Sequence, residues 1–205
     1  EEDAVFDDGS CTVPDIIVPD DYSTIEEALN NSANGGVIYV RAGIYARFTW
    51  SNNADIKLIG EDRETTIIDA TGYNSGIGII GSNVGYLVNH KTLIQGFTIR
   101  NSEGNGIYAE RANPTLKNLI VENNSDVQSA TGIRMYTNGN DDYLVDSVLI
   151  DNVIIENNIN FNSHAGLVLK IPEESINEDS YISINNSKFL NNYGFDSGGG
   201  AYLEL

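Results

Sequence analysis

The chain has 205 residues with a hydrophobic content of 40%, and 30 aspartates and glutamates against 11 lysines and arginines give it a formal net charge of −19. Such a charge repels polyanions, so nucleic acid and anionic lipid are not expected as partners. No apolar run reaches the ~18 residues of a membrane span, and no membrane insertion is expected either. The one cysteine in the sequence, Cys11, excludes an internal disulfide framework.

The start of the chain is acidic and lacks apolar periodicity, which predicts a flexible tail over 1–15 and a single domain over 16–205. The opening letters, EEDAVFDDGSC, show no signal peptide and look like a mature or excised product. Residues 6–11, FDDGSC, resemble the end of a short repeat of large extracellular proteins, in which the cysteine has a partner upstream. That resemblance implies a secreted or cell-surface setting. An acidic tail with an incidental thiol is the alternative.

Residues 21–40, DYSTIEEALNNSANGGVIYV, predict a short amphipathic helix over about 23–33. Two overlapping capping boxes mark its start, and a glycine pair marks its end. A helix in front of the first strand covers the open end of a stack of strands, so we interpret it as a cap. The box residues are Ser23 with Glu26 and Thr24 with Glu27, and the glycines are Gly35 and Gly36.

Farther along, the chain repeats an apolar run closed by paired asparagines: NLIVENN at 118–124, NVIIENN at 152–158 and NSKFLNN at 186–192. The copies align without gaps, and the three named here follow one another at a constant offset. Such self-similarity is typical of a solenoid, in which each unit buries its apolar face by stacking on its neighbours. Apolar and polar residues alternate within a copy, which predicts a coil of strands. With an earlier copy at a shorter offset included, the aligned columns are Ile94, Leu116, Ile150, Ile184; Gly96, Asn118, Asn152, Asn186; Ile99, Val121, Ile155, Phe189; and Asn101, Asn123, Asn157, Asn191.

Asparagine and glycine recur in these copies for reasons that backbone geometry supplies. Asparagine tolerates left-handed backbone and can bond the copy above, so stacked amides should form a ladder. A glycine opens a further short strand in each copy, where we expect it to relieve a tight bend. These glycines are Gly106, Gly132, Gly166 and Gly200.

The runs VPDDYSTIEEAL, GGVIYVRAGIY and IKLIGEDRETTIIDATG resemble the opening of pectin-lyase-like right-handed parallel β-helix proteins, and the NxxIxxN and GGGAYL units resemble their parallel β-helix repeats. The resemblance covers residues 16–205 and implies an all-β fold, a right-handed parallel β-helix with an N-terminal capping α-helix. For function it implies a carbohydrate-associated setting only, because that superfamily hosts lyases, hydrolases, esterases, adhesins and phage tailspikes. The last run, SGGGAYLEL, lacks a cap, so we expect the coil to continue beyond Leu205 or to self-associate there.

Two acidic loops follow the glycine-led strands of the longer copies, TNGNDDY at 137–143 and PEESINED at 172–179. Because Asn138 and Pro172 are separated by the full offset of the repeat, the loops should project side by side and form an acidic rim. Loops on a rigid scaffold commonly carry binding sites, and the expected ligand is a polysaccharide or glycan. The candidate ligand-binding residues are Asn138, Asn140, Tyr143, Glu173 and Glu174.

Catalytic residues have weaker support. Asp141, Asp142 and His164 resemble the paired aspartates and later histidine of polygalacturonase-type glycoside hydrolases, and glycoside hydrolysis requires paired carboxylates. The histidine, however, lies in Ser-His-Ala-Gly, and no Arg-Ile-Lys follows. A lyase needs an arginine or lysine that its surroundings turn into a base. The candidates are scattered along the sequence: Arg100, Arg111, Arg134 and Lys170.

The same loop offers hard oxygen ligands for calcium at Asn140, Asp141 and Asp142. The spacing lacks the closing glutamate of an EF-hand, and a solvated acidic loop is the alternative. The sequence therefore favours an extracellular, non-catalytic scaffold for carbohydrate binding or adhesion, with no required cofactor and calcium as an open possibility. A polysaccharide lyase or glycoside hydrolase whose site lies partly outside this chain, and a self-associating structural element, are the alternatives.

Overall fold

The computed structural model describes residues 13–51, 54–81, 88–126, 131–136, 145–171, 176–195 and 198–204. In these ranges the chain forms short β-strands and one α-helix, α1 (Ile25–Asn31). No helix in the described ranges is long and apolar enough to span a membrane. In chain order the strands are β1 (Ile16–Val18), β2 (Val37–Val40), β3 (Gly43–Ala46), β4 (Phe48–Trp50), β5 (Lys57–Gly60), β6 (Thr66–Asp69), β7 (Ser75–Ile80), β8 (Leu93–Gln95), β9 (Thr98–Arg100), β10 (Asn105–Glu110), β11 (Thr115–Glu122), β12 (Ser125–Asp126), β13 (Ile133–Tyr136), β14 (Val145–Glu156), β15 (Ile159–Asn160), β16 (Leu167–Lys170), β17 (Ile176–Asn185), β18 (Lys188–Leu190), β19 (Tyr193–Gly194) and β20 (Ala201–Glu204).

The described strands pair in parallel and build three sheets of 11, six and three strands. The six-stranded sheet has the order β20-β16-β13-β10-β7-β4, and the three-stranded sheet has the order β12-β15-β19. In the largest sheet the long strand β11 pairs with β8 along its first part and with β9 along its second. The protein is therefore all-β with one short helix, and this strand order is compatible with a β-helix-like fold.

The aligned copies of the repeat are hydrogen-bonded neighbours, as their offsets predict. Leu116 is the register partner of Ile94 and of Ile150, and Ile150 is the partner of Ile184. Ile94, Leu116 and Ile150 are at most 1% exposed. We call the strands of one copy a layer. Each layer buries its inward side chains against the layers on either side, and each such isoleucine or leucine contributes about 1.5–3 kcal/mol.

Asparagines at two positions of each layer adopt left-handed backbone, as the sequence predicts. Their φ angles lie between 50° and 62°, a region that few residues other than glycine and asparagine enter at low cost. The equivalent of the first position in an earlier layer is Gly96, with φ of 81°. The asparagines are Asn118, Asn152 and Asn186 at the first position and Asn101, Asn123, Asn157 and Asn191 at the second.

A buried amide ladder is present, but it runs through the residue that follows the second left-handed asparagine. Nδ2 of Asn124 donates to Oδ1 of Asn158 at 2.9 Å, and Nδ2 of Asn158 donates to Oδ1 of Asn192 at 2.9 Å. Oδ1 of Asn158 also accepts from the backbone N–H of Asn124 at 3.1 Å, and its Nδ2 also donates to the Val121 carbonyl at 3.0 Å. The predicted stacking is present at the first left-handed position, where Nδ2 of Asn152 donates to Oδ1 of Asn118 at 3.1 Å, but the sequence did not single out the buried ladder. The left-handed asparagine is exposed, whereas Asn124 and Asn158 are fully buried.

The glycine that opens the third strand of a layer lies against this ladder. A Cβ added at Gly132 would lie 2.5 Å from Cγ2 of Ile155 and 2.9 Å from Nδ2 of Asn158. A Cβ at Gly106 would lie 2.7 Å from Nδ2 of Asn124. Such distances are too short for a real side chain, so the close approach of core and ladder requires glycine here, a reason that the sequence did not reveal.

Helix α1 covers the first layer, as expected of the cap. Thr24 is its N-cap, because its Oγ1 accepts from the Glu27 backbone N–H at 3.2 Å, whereas the Ser23 hydroxyl donates to the Glu27 carboxylate at 2.9 Å. Asp15, which the sequence places in the tail, exchanges hydrogen bonds of 2.9 Å and 2.8 Å with Val37 and is thereby tied to β2. The buried face of the helix consists of Ile25, Ala28 and Leu29.

At the opposite end of the stack, inward positions become exposed. Leu203 of β20 is the register partner of Leu169 of β16, yet Leu203 is 45% exposed where Leu169 is fully buried. Likewise Phe189 is only partly buried, whereas its partner Ile155 is fully buried. Within the described residues, the inward side chains of the last strands are thus less buried than their partners in the preceding layer.

Replacing Asn158 with alanine is expected to lower the free energy of unfolding by about 3 kcal/mol or more, because the Asn124 donors and the Val121 carbonyl lose their buried partner and each such group costs about 1–3 kcal/mol. The matched control is Asn157→Gly. Asn157 is exposed and its φ is 55°, which glycine adopts readily, so the change should stay below about 1 kcal/mol. Urea unfolding followed by circular dichroism measures both variants. Equal losses would contradict the structural role given to the ladder.

Candidate functional site

Most residues of the predicted acidic rim lie outside the described ranges. The structure therefore does not test their proposed roles in ligand binding, catalysis or calcium binding, and these stay predictions. The residues concerned are Asn138, Asn140, Asp141, Asp142, Tyr143, Glu173 and Glu174.

The strands that precede the two loops carry a face of tyrosines and charges. β13 ends at Tyr136 and β16 ends at Lys170, and both belong to the six-stranded sheet with β10 and β20. On β10 and β13, buried side chains alternate with partly exposed ones, so every second residue faces outward. We call these outward residues of the four strands the tyrosine–cation face: Tyr108, Glu110, Arg134, Tyr136, Lys170, Tyr202 and Glu204.

Strand register sets the pattern of this face. Tyr108 lies opposite Arg134, Tyr136 lies opposite Lys170, and Lys170 lies opposite Glu204. Neighbouring strands are about 4.8 Å apart, so the face extends for roughly 14 Å across its four strands. The cations occupy the two central strands, and each outer strand carries a tyrosine and a glutamate two residues apart.

Both cations pack against Tyr136. The guanidinium carbon of Arg134 lies 4.7 Å from the ring centroid of Tyr136, and Nη2 of Arg134 donates to the phenol oxygen at 2.7 Å. Nζ of Lys170 lies 5.7 Å from the Tyr136 centroid and 5.6 Å from that of Tyr202. Lys170 also forms an ion pair of 2.8 Å with Glu204. These contacts restrict the long cationic side chains, and each cation–π contact contributes about 0.5–1 kcal/mol at an exposed site.

Hydrogen bonds between tyrosine and glutamate fix the protonation of the face. The Tyr108 hydroxyl donates to Glu110 at 2.9 Å, and the Tyr202 hydroxyl donates to Glu204 at 2.9 Å. Burial, followed by the hydrogen bond to Glu110, raises the pKa of Tyr108 to about 12. The hydrogen bond with Lys170 is the main cause that lowers the pKa of Glu204, and the same contact raises the pKa of Lys170. At neutral pH Tyr108 and Tyr202, whose pKa values are raised, are therefore neutral phenols, while Lys170 and Glu204 are charged.

His164 is the one predicted catalytic residue within the described ranges, and it lies beside this face. Its ring centroid is 4.2 Å from that of Tyr202, with the planes tilted by 33°. Its Nδ1 is 3.2 Å from Oγ of Ser163. Burial first, and the charge of Lys170 second, lower the pKa of His164, so the ring is neutral at neutral pH. The paired aspartates expected to act with it lie outside the described ranges.

A second charged row lies on the largest sheet, and the sequence reasoning missed it. Glu122 ends β11, Glu156 ends β14, and the two are register partners. Arg100 is the partner of Glu122 on the other side, and its Nε donates to Oδ2 of Asp69 at 3.2 Å. Burial first, and the charge of Glu156 second, raise the pKa of Glu122. We call Asp69, Arg100, Glu122 and Glu156 the carboxylate row.

The carboxylate row could have been predicted from the repeat. In VENN and IENN the glutamates stand directly before the paired asparagines and occupy the same position of successive copies. Strand register also places the four basic residues considered for a lyase on different surfaces. Arg134 and Lys170 come together on the tyrosine–cation face, Arg100 belongs to the carboxylate row, and Arg111 pairs with Glu110 at 3.5 Å.

In the described part of the chain, no group of three or more His, Cys, Asp or Glu side chains is arranged to hold a metal ion. Comparisons with protein-family models, curated proteins and solved structures find no match for this chain. The two surface sites must therefore be interpreted from their own geometry.

The pKa of His164 is expected to lie below the 6.5 of free histidine. Replacing Lys170 with methionine should raise this pKa, because a nearby positive charge disfavours the imidazolium. The pKa of His164 should still stay below that of free histidine in this variant, since burial is the larger cause of the shift. Titration of the two histidine ring signals by NMR measures the effect, and an unchanged His164 midpoint in the Lys170→Met variant would contradict the placement of Lys170 beside the ring.

Proposed function

We propose that this protein is a secreted or cell-surface scaffold, built as a right-handed parallel β-helix of the pectin-lyase-like type, that binds glycans through the tyrosine–cation face. The parallel sheets and the in-register repeat support the coil. Its right-handed sense follows from the strong preference of parallel strand–crossover–strand connections for that hand. The extracellular setting rests on the resemblance of residues 6–11 to repeats of extracellular proteins.

One observation carries the binding proposal. Tyr108, Tyr136 and Tyr202 lie on strands of one sheet together with charged hydrogen-bonding groups, on a surface whose geometry the strands fix. A sugar ring has apolar C–H faces and a rim of hydroxyls. An aromatic ring matches the faces, and carboxylate and guanidinium groups match the hydroxyls. The predicted rim residues follow β13 and β16 directly in the chain, so they are candidates to extend this surface.

The fixed geometry suits a binding role. The cations are held by Tyr136 and Glu204 before any ligand arrives, so little side-chain entropy remains to be lost on binding. No step of bond cleavage is needed for this role, and no metal is required. Calcium at Asn140, Asp141 and Asp142 remains a separate proposal.

Affinity electrophoresis against a panel of neutral and acidic polysaccharides, with calcium and with a chelator, should show retardation of the chain by at least one polymer. A Tyr136→Ala, Tyr202→Ala double variant should bind that polymer about tenfold more weakly or worse, because the loss of aromatic contacts costs more than about 1.4 kcal/mol. The matched control is Tyr181→Ala, since Tyr181 is 57% exposed on the largest sheet.

Equal weakening by the control would contradict a site on the tyrosine–cation face. If no polymer retards the chain, glycan binding is overturned and the self-associating alternative is favoured. Retardation that requires calcium would support the calcium site in the rim.

A glycoside hydrolase is the second candidate, and the carboxylate row favours it. Glu122 and Glu156 are register partners on adjacent strands, whose backbones lie about 4.8 Å apart. Side chains at this spacing can bring two carboxyl groups to the separation of about 5–5.5 Å that retaining enzymes use. The raised pKa of Glu122 suits a proton donor, and Glu156 on the neighbouring strand would serve as the nucleophile. The Asp141, Asp142 and His164 set stays a separate prediction, because the two aspartates lie outside the described residues.

If the row is catalytic, reducing-end assays on the polysaccharide panel should detect hydrolysis, and this activity should fall as pH rises through the pKa of Glu122. Glu122→Gln and Glu156→Gln should each reduce the rate by about 100-fold or more, because each removes the acid or the nucleophile. Glu103→Gln, at an exposed glutamate outside the row, is the control. Absence of product with every polymer, or product that persists in both variants, would rule out this candidate.

A further inference from the structure

A groove of about 420 Å³ separates helix α1 from strand β3. On the strand side it is lined by the consecutive residues 44–48, which means that the groove follows the backbone along the strand edge. On the helix side its lining includes Ser23, Glu26, Glu27 and Asn30, which recur at the spacing of one helix face. The groove is far from the tyrosine–cation face in sequence and belongs to a different end of the strand stack.

In the described part of the chain, the strand wall of this groove is a sheet edge to which no further strand is added. β3 is the terminal strand of the largest sheet and pairs with β6 on one side. The Gly43 N–H donates to the Thr65 carbonyl at 2.9 Å, so it points toward β6. Because backbone groups alternate along a strand, the N–H and C=O groups of Ile44 and Ala46 point away from β6 and into the groove.

Two neighbouring places in the chain show how the backbone groups of a strand edge are hydrogen-bonded. β1 adds a three-residue strand to the edge of β2 in the same first layer. Farther along that layer, Glu26 Oε2 accepts from the edge-facing Thr49 N–H of β4 at 3.4 Å. β3 lies between these two places. No strand in the described ranges pairs with the outer edge of β3. Ile44, which belongs to β3, is 69% exposed.

Charge decides which kind of segment fits. The helix wall presents the carboxylates of Glu26 and Glu27 without a basic residue in its last turn. The cation on the strand wall, Arg47, is engaged elsewhere: its Nη1 donates to the Thr49 hydroxyl, and its guanidinium lies 5.3 Å from the Tyr73 ring centroid. The chain's own start, EEDAVFDDGSCT, is rich in carboxylates and has no basic residue, so Glu26 and Glu27 repel it. A segment with lysine or arginine is complementary.

We propose that this groove binds an extended, basic segment of a partner protein, which adds a strand to the free edge of β3 while its lysine or arginine side chains pair with Glu26 and Glu27. Backbone hydrogen bonds to Ile44 and Ala46 hold the added strand, and the carboxylates of the helix wall favour a positively charged segment. This partner site is independent of glycan binding.

The test is fluorescence anisotropy with the full chain and a short labelled peptide of alternating lysine and valine. A matched probe carries glutamate in place of lysine, and a third probe keeps lysine but has N-methylated amides along one edge. The lysine probe should bind, and both other probes should fail, since one lacks the charge and the other lacks the edge hydrogen bonds. The amide NMR signals of Ile44 and Ala46 should shift when the lysine probe is added.

Charge variants separate a groove from general attraction to an acidic protein. A Glu26→Gln, Glu27→Gln double variant should weaken the lysine probe about fivefold, as expected for two exposed ion pairs. Glu64→Gln with Glu103→Gln removes the same charge from other exposed positions and should leave the affinity unchanged. Equal binding of the N-methylated probe, equal weakening by both double variants, or tighter binding of a peptide with the sequence EEDAVFDDGSCT would each overturn the proposal.

Discussion

The structure depends on one constraint: a buried asparagine amide must find partners for its donors and its oxygen inside the protein. Asn158 meets this demand through Asn124 and Asn192, which stand at the same place in the adjacent layers, and through the Val121 carbonyl. Leaving one such group unpaired costs about 1–3 kcal/mol, as much as burial of a whole apolar side chain contributes. The ladder therefore excludes a slip of one layer along the next, which a uniform apolar core of isoleucine, leucine and valine would tolerate more easily.

The strand register that the buried residues fix also determines how surface side chains are arranged in rows. Side chains that occupy one position of the repeat lie about 4.8 Å apart on neighbouring strands, so each row of surface residues is read directly from the aligned copies. The tyrosine–cation face and the carboxylate row are two such rows with different chemistry. The first combines rings with cations in a protein whose formal net charge is −19. The second brings two like charges together and is partly neutralised by Arg100.

The sequence predicted well what repetition and local backbone chemistry determine. The columns of Ile94 and Leu116, the left-handed asparagines and the cap helix are all present, because strand period, αL tolerance and capping act over short distances. The sequence did not identify the buried ladder through Asn124 and Asn158, since spacing alone does not tell which asparagine of a pair points inward. The carboxylates of Glu122 and Glu156 were also missed, although both stand directly before the paired asparagines at one position of the repeat.

The unequal length of the layers has a consequence for how this surface can change. The stretch from Ile107 to Leu116 is much shorter than the stretch from its partner Ile133 to the partner Ile150, although both pairs keep the same register. The longer stretch includes the residues between Tyr136, where β13 ends, and Val145, where β14 begins, and the strands on either side of it keep their register. Insertions at this point of a layer can therefore lengthen or replace a loop while the register of the strands is kept. Such a molecule can acquire a new recognition surface one loop at a time.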